Sequence, residues 1–190
     1  MPLNRRKLAM VVAFTIIGTS AARGQGTIDR LRPLVETSAR RLLIGEQVAL
    51  AKWDSGATVE DPPREAQVIM AAVRDGDARG LDPTSVSNFF RAQIEANKVI
   101  QYSLLADWRR SGRAPAHATI DLVATIRPEL DRVQTALIAE LADTVAIRAS
   151  TTCRADVAKA IGKYVLMHKH DVRPLQSIGL DRSLAASCTL

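Results

Sequence analysis

The sequence predicts an all-α protein, folded as a single-domain helical bundle of about six helices. Hydrophobic residues make up 47% of the chain and aromatic residues only 4%, and the commonest residues are helix formers. Apolar residues recur at intervals of three to seven, and no segment has the two-residue period of a strand. A length of 190 residues suits one domain with a hydrophobic core.

Residues 1–24 are predicted to be a secretory signal peptide. A basic segment at 5–7 precedes an apolar segment at 8–17, and small residues follow, so that cleavage after Ala22 or after Gly24 fits. The apolar segment is short for a bilayer span, although an uncleaved membrane anchor is the alternative. A signal peptide implies a periplasmic or secreted protein.

The basic charge of the chain comes largely from this segment. The formal net charge is +6, and it falls to +2 for residues 25–190 once the four basic residues of 1–24 are removed. A charge this small in the mature domain does not support a nucleic-acid partner, and after signal cleavage no membrane partner is expected.

The first two helices follow from apolar spacing and loop composition. A helix over about 28–53 has one buried stripe formed by Leu31, Val35, Leu42, Ala49 and Trp53. The segment DSGATVEDPP at 54–63 predicts a loop, and a short helix over 64–78 would end at Gly80.

The remaining helices begin at proline or capping signals. Asp82 and Pro83 are an N-cap and a first-turn proline, and they open a helix to about Arg109. Pro128 lies inside the next apolar pattern, so a kink or a late start is expected there. The loop and the later helices are predicted at 111–115, 119–149, 154–169 and 174–185.

Two cysteines, Cys153 and Cys188, are present. In an exported protein an even pair suggests a disulfide, which would close a loop of about 36 residues and stabilise by roughly 3–4 kcal/mol. A metal site is the alternative, but His168 and His170 lack further ligand-like partners, so no metal is expected.

Cations on helix faces are the remaining candidates for chemistry, since the sequence has no common nucleophile, phosphate-loop or dinucleotide motif. Arg41 and Lys52 are eleven residues apart, close to three helical turns, so both lie near one face. Such a pair could hold a common anion, and the alternative is a solvated charge pair.

Four further residues have both a functional and an ordinary reading. Arg64 opens the second helix, where the alternative is a surface arginine. Asn97 and Gln101 share one helix face, and buried amides also serve to bond helices together. Arg127 precedes Pro128, and the alternative to a functional role is an exposed position on the surface.

Together these residues resemble a known family. The pattern runs from Arg41 through Lys52-Trp53 and the segment EDPPR at 60–64 to FFRAQIEANKVIQYS at 89–103 and Asp107-Trp108. It resembles the secreted chorismate mutases, the gamma subclass of the all-helical AroQ class, over about residues 28–188. The resemblance implies a chorismate mutase domain at 25–190, converting chorismate to prephenate by a cofactor-free [3,3] rearrangement.

The resemblance also implies roles for site residues. Arg41 and Arg127 would bind the two substrate carboxylates, with Arg64 and Asn97 in support. Lys52 and Gln101 would contact the ether oxygen, and Asp61 with Glu65 could meet the ring hydroxyl. The implied catalytic residues are Arg41, Lys52, Arg64 and Gln101.

This sequence departs from the family pattern at three positions. Some relatives carry Glu where Gln101 stands, and relatives often carry Ser or Thr at the position of Asn97. The spacing from Asp121 to Arg127 is one residue longer, so Arg132 is the next candidate if a helix distortion does not absorb the extra residue.

Two other hypotheses about the function remain. A catalytically silent binding module for a small dicarboxylate would bind a substrate analogue without turnover. A structural or interaction bundle would bind no analogue, and its charges would be scattered over several faces. The family resemblance further implies one whole active site per protomer, and a homodimer is compatible with it.

Overall fold

The computed structural model describes residues 19–189, and the all-α prediction is confirmed for that part of the chain. Seven α-helices and one π-helical segment form, against about six helices expected. They are α1 Thr19–Ser55, α2 Pro62–Asp77, α3 Pro83–Ser111, the π segment Leu122–Ile126, α4 Arg127–Asp143, α5 Val145–Arg148, α6 Cys153–Met167 and α7 Pro174–Leu184. None of the helices among the described residues is long and apolar enough to cross a membrane. The basic and apolar parts of the predicted signal peptide, residues 5–17, lie outside the described residues.

Helix α1 is longer at both ends than the predicted 28–53. No proline stands between Thr19 and Ile28 to stop the helix, and the first one, Pro33, lies inside it. The helix ends at Ser55, and Gly56 follows with a positive φ of 70°, a conformation that glycine adopts without steric cost. The connection to α2 is therefore shorter than the predicted loop.

Side-chain caps begin α2 and α3: the cap at Asp82 is the predicted one, whereas the cap at Asp61 starts α2 two residues before the predicted start at 64. Asp61 accepts a hydrogen bond from the Arg64 backbone N–H at 3.2 Å, and Asp82 accepts one from the Ser85 N–H at 2.6 Å. Prolines occupy the first positions of both helices, where a missing N–H costs no helical hydrogen bond. These caps determine where each helix starts.

The predicted helix over 119–149 is divided, and this accounts for the additional helix. The chain first forms the π segment, whose N–H groups at Val123 and Ala124 donate to Asp121 Oδ1 at 2.8 and 2.9 Å. Helix α4 then begins at Arg127, which places Pro128 in its first turn and confirms the late start. Thr144 separates α4 from α5, and its hydroxyl donates to the Glu140 carbonyl at 2.6 Å.

Helices α1 and α3 form the centre of the bundle. Helix α3 packs against α1, α2 and α7, while α1 also contacts α4 and α6. One face of α3 is buried and mostly apolar, and on it Phe89 and Phe90 meet edge-to-face at 5.5 Å. Trp53 and Trp108 make a second edge-to-face pair at 6.0 Å, where α1 and α3 end together.

A disulfide joins Cys153 and Cys188, as predicted, with Cα atoms 5.9 Å apart. It links the start of α6 to the C-terminal tail. Buried Arg148 holds the same tail, since its Nε donates to the Ser187 carbonyl at 2.6 Å. The Thr189 backbone N–H in turn donates to the Arg148 carbonyl at 3.0 Å.

Candidate functional site

A cavity of about 150 Å³ lies between α1, α2, α3 and the π segment with α4. Its apolar lining consists of Val48, Val59, Val68, Ile94, Leu122, Ile126 and Leu130. Its polar lining consists of Arg41, Lys52, Asp61, Arg64, Glu65, Asn97, Lys98, Gln101, Arg127, Asp131 and Gln134.

All eight candidate binding residues from the sequence line this one cavity. Helix α1 contributes two of them, α2 and its cap three, α3 two and the start of α4 one. Arg127 lines the cavity although the residue is exposed, as its alternative held, and Arg132 does not line the cavity. A helix distortion of the expected kind is present, since the π segment directly precedes Arg127.

Arg41 is the most deeply buried cation of the site. Its side chain is on the central helix, the residue is 5% exposed, and its Nε has no hydrogen-bond partner. Burial lowers the pKa of Arg41 from 12.5 to about 10, repulsion from Arg64 adds to this, and Asp131 opposes it. A buried, under-partnered guanidinium beside a cavity is suited to bind an anion there.

Lys52 lies on the same face of α1 and is half-buried. Its ammonium donates one hydrogen bond, to the Val59 carbonyl at 2.7 Å, and an ammonium has three donors. Burial lowers the pKa of Lys52, while Asp61 and Glu60 oppose that shift. Two N–H donors therefore remain for a ligand in the cavity.

The α2 wall holds a cation among carboxylates. The Arg64 guanidinium approaches Asp131 Oδ1 on α4 at 3.5 Å, so its partner is Asp131, while Asp61 accepts only the Arg64 backbone N–H. Glu65 Oε1 accepts a hydrogen bond from the Asp61 backbone N–H at 3.4 Å. Arg64 thus spans the gap between α2 and α4.

The α3 wall presents two amides one turn apart. Gln101 is 6% exposed, and its buried Oε1 has no hydrogen-bond partner. Asn97 Nδ2 donates to the Gln93 carbonyl of its own helix at 3.0 Å, so the amide does not bond one helix to another. Asn97 packs on Gly45 of α1, where an added Cβ would lie 2.3 Å from Asn97 Oδ1.

Lys98, Asp131 and Gln134 also line the cavity, and the sequence analysis assigned them no role. Asp131 and Gln134 follow Arg127 by four and seven residues, so helical spacing from Arg127 could have found them. Gln134 is buried, and no hydrogen bond is formed by its amide within the described chain. Lys98 precedes Gln101 by three residues on α3, so the same spacing argument applies to it.

Cationic side chains outnumber carboxylates in the cavity lining. Five cationic side chains and three carboxylates line it, together with three neutral amides, and none of these described lining residues is a Ser, Cys or His. In the described part of the chain no cluster of three or more His, Cys, Asp or Glu could hold a metal ion. Such an arrangement can bind and orient a small anion and stabilise developing negative charge.

The known proteins to which this chain is similar are chorismate mutases. The family model for chorismate mutase type II matches residues 27–102. A protein named secreted chorismate mutase from Mycolicibacterium smegmatis is 33% identical over 131 residues, covering 69% of this chain and 72% of that protein. One of the same name from Mycobacterium tuberculosis is 28% identical over 144 residues, covering 76% and 71%. The crystal structure of a chorismate mutase from Burkholderia phymatum superposes with a TM-score of 0.82 at 39% identity, covering 87% of this chain and 99% of that one.

Proposed function

The chain belongs to the type II, all-helical chorismate mutases, and we propose that it converts chorismate to prephenate without a cofactor. The reaction is an intramolecular rearrangement, in which a C–O bond breaks while a C–C bond forms. No atom is lost and no proton has to be transferred. The enzyme needs only to hold the compact conformer of a dianion and to stabilise charge at the ether oxygen.

One observation carries the proposal. Eight side chains chosen from the sequence, belonging to four elements of one chain, line one cavity. The set contains four cations and two amides, which are the groups that a dianionic substrate and a developing oxyanion require. None of the described lining residues is a Ser, Thr or Cys, and the rearrangement needs no covalent intermediate.

Arg41 and Arg127 are assigned to the two carboxylates. The guanidinium binds a carboxylate through two parallel hydrogen bonds, and this geometry also fixes the orientation of the ligand. Arg41 is supported by its partnerless Nε, which gains a hydrogen bond when an anion enters. Arg64 and Asn97 add contacts on the carboxylate side.

Lys52 and Gln101 are assigned to the ether oxygen. As the C–O bond breaks, negative charge grows on this oxygen, and donors placed beside it stabilise the transition state more than the substrate. Lys52 has two free N–H donors and Gln101 forms no hydrogen bond within the described chain. Asp61 and Glu65 are assigned to the ring hydroxyl.

The mature domain is residues 25–190, and the enzyme is exported to the periplasm or the medium after removal of residues 1–24. The names of the relatives from the two mycobacteria, which include the word secreted, support export. Each protomer holds a whole site, because every candidate residue belongs to one chain. A homodimer is compatible with this arrangement.

The deciding experiment follows chorismate through its absorbance, using the purified, oxidised chain that begins at Gln25. We expect rapid loss of chorismate with formation of prephenate. Arg41→Ala and Gln101→Ala should each lower kcat/KM by about 10²-fold or more, as loss of a charge-stabilising donor does.

Matched controls come from exposed residues outside the cavity, Arg91→Ala on α3 and Gln67→Ala on α2. Both should keep the parent activity. A folded parent chain that binds a diaxial ether analogue but does not consume chorismate would identify a silent binding module. A chain that binds neither would be a structural bundle.

A further inference from the structure

Lys98 stands out among the cavity residues because three carboxylates surround its ammonium. Nζ lies 2.7 Å from Glu60, 2.9 Å from Glu95 and 3.5 Å from Glu65, and the side chain is only 14% exposed. These carboxylates raise the pKa of Lys98, with the hydrogen bond to Glu60 as the largest cause. Lys98 is therefore fully charged, and its ammonium is paired with carboxylates. By contrast, Arg41 Nε and Gln101 Oε1 have no hydrogen-bond partner.

The contact with Glu60 joins α3 to the loop between α1 and α2. This loop, residues 56–61, has no helical hydrogen bonds, so side-chain contacts determine its position. Glu60 receives a second hydrogen bond from α3, donated by the Tyr102 hydroxyl at 2.7 Å. Together these two bonds from Lys98 and Tyr102 hold the loop against the cavity wall.

The same loop holds a second cation of the site. Val59 directly precedes Glu60, its side chain is buried, and its carbonyl accepts the hydrogen bond from Lys52 Nζ at 2.7 Å. A shift of Glu60 would move the neighbouring Val59 carbonyl. The direction in which Lys52 offers its two free donors would then change.

We propose that Lys98 is a positioning residue that anchors the α1–α2 loop through Glu60 and thereby orients the ammonium of Lys52. The inference rests on the proposed function, in which Lys52 meets the ether oxygen. Lys98 acts through the loop, and Glu60 and Tyr102 are the contacts by which it does so. Its pairing also neutralises carboxylates that would otherwise repel a dianion.

Loss of this anchor should lower kcat more than it changes KM. The ether oxygen becomes strongly negative only in the transition state, so misplaced Lys52 donors weaken the transition state more than the bound substrate. A displacement of about 1 Å in a positioning contact can cost about 10²-fold in rate.

The test uses Lys98→Met in the oxidised mature chain. We expect kcat to fall by about tenfold or more with KM changed by less than about threefold. Lys98→Arg keeps the charge and reach and should restore most of kcat. Glu95→Gln is the matched control, because Glu95 lies on the same helix as Lys98 and its loss leaves the loop contact in place.

Glu60→Ala removes the other end of the anchor. We expect it to lower kcat at least as much as Lys98→Met does, because Glu60 also accepts the bond from Tyr102. The double variant should be no worse than Glu60→Ala alone, since that substitution already removes the contact with Lys98. Proteolytic cleavage within 56–61 should be faster in both variants, because the loop is no longer held, and unchanged in Glu95→Gln.

Three outcomes would overturn the inference. The first is parent-like kinetics in Lys98→Met, and the second is additive losses in the double variant. The third is a rise of KM alone in Lys98→Met with Glu60→Ala unaffected. This third outcome would mean that Lys98 contacts the substrate directly. The parent chain separates this from the proposed function: a parent without turnover refutes the activity, whereas an active parent with any of these outcomes refutes only the role of Lys98.

Discussion

The buried charge of Arg41 disfavours folding of the free protein, whereas the proposed binding of an anion requires that charge. Its charge is buried in the free protein, its Nε is unpartnered, and Arg64 repels it. Because the pKa in the fold is about 10, below the ordinary 12.5, the charged form is penalised at every pH below about 10. In the proposed site, the anionic substrate would supply the missing partner.

Replacing Arg41 with methionine should therefore stabilise the free protein and inactivate it. Methionine fills a similar space without a charge, so the free energy of unfolding at pH 7 should rise by on the order of 1–3 kcal/mol. Urea denaturation measures this, and Arg91→Met on the exposed face of α3 should stay near the parent value. A destabilised Arg41→Met variant would show that the buried charge already has adequate partners.

The identity of residue 101 as glutamine predicts how kcat/KM depends on pH. Its amide donates at every pH, so the parent kcat/KM should change little between about pH 5 and 8, where a glutamate would ionise. Gln101→Glu should lose activity as pH rises through the glutamate pKa, by up to about tenfold per pH unit, because only the protonated acid donates. A steep decline in the parent, or a flat profile in the variant, would contradict the assignment.

The role proposed for Lys52 makes a prediction for the alkaline side of the same profile. Burial lowers its pKa from the ordinary value, and a lysine is charged only below its pKa. Activity of the parent should therefore fall as pH rises toward the lowered pKa of Lys52. Rate measurements from about pH 8 upward test this, and an unchanged rate over that range would exclude Lys52 as the required cation.

At the scale of elements, the close approach of α1 and α3 shapes the cavity. Gly45 has no side chain at the crossing, and the amide of Asn97 occupies that space. Any Cβ there would meet Asn97 Oδ1 at 2.3 Å, a distance that real contacts do not reach. The far end of a flexible side chain can move aside, so the helices can stay packed while Asn97 shifts.

Gly45→Ala should therefore affect binding more than folding. Asn97 is displaced toward the cavity, so KM should rise by about threefold or more while the variant loses only about 1 kcal/mol of stability. Steady-state kinetics and urea denaturation measure the two effects. An unchanged KM would show that Asn97 has no part in binding.

Gly162→Ala on α6 is the matched control for that substitution. No atom lies within 4 Å of its added Cβ, and alanine forms helix better than glycine. It should gain about 0.4–1 kcal/mol of stability without any change in kinetics.

Helix identity could be predicted from the sequence, whereas the division of the fourth predicted helix could not. Apolar spacing and the cap at Asp82 are local signals, and each indicates a helix without help from the rest of the fold. The π segment depends on Asp121 binding two N–H groups and on Ile126 being buried against the bundle. For that reason the sequence could not decide whether Arg127 or Arg132 lines the cavity.

At the scale of the whole molecule, the C-terminal tail is closed onto the bundle by a disulfide and a buried arginine. Arg148 donates to the Leu141 carbonyl at 3.1 Å and to the Ser85 hydroxyl at 2.7 Å, besides its bond to Ser187. It is a cation used wholly for structure, since it does not line the cavity. The sequence alone gave no reason to separate it from an ordinary surface arginine.

Removing the disulfide should lower stability and leave catalysis intact. The Cys153→Ser, Cys188→Ser variant loses a link across 35 residues, so its free energy of unfolding should fall by about 3–4 kcal/mol. Neither cysteine lines the cavity, so kcat/KM of the folded variant at low temperature should stay within about twofold of the parent. A large loss of activity in the folded variant would mean that the tail controls the site.

The sequence by itself determined the helical class, most helix ends, the cysteine pair and the residue types of the site, because periodicity, capping and the family pattern are local properties of the chain. Only the tertiary structure decided that Arg127 rather than Arg132 lines the cavity, that Asn97 bonds within α3, and that Lys98 joins the α1–α2 loop. Each of these depends on how far one element lies from another. That distance is fixed by side-chain packing across the bundle, which leaves no periodic trace in the sequence.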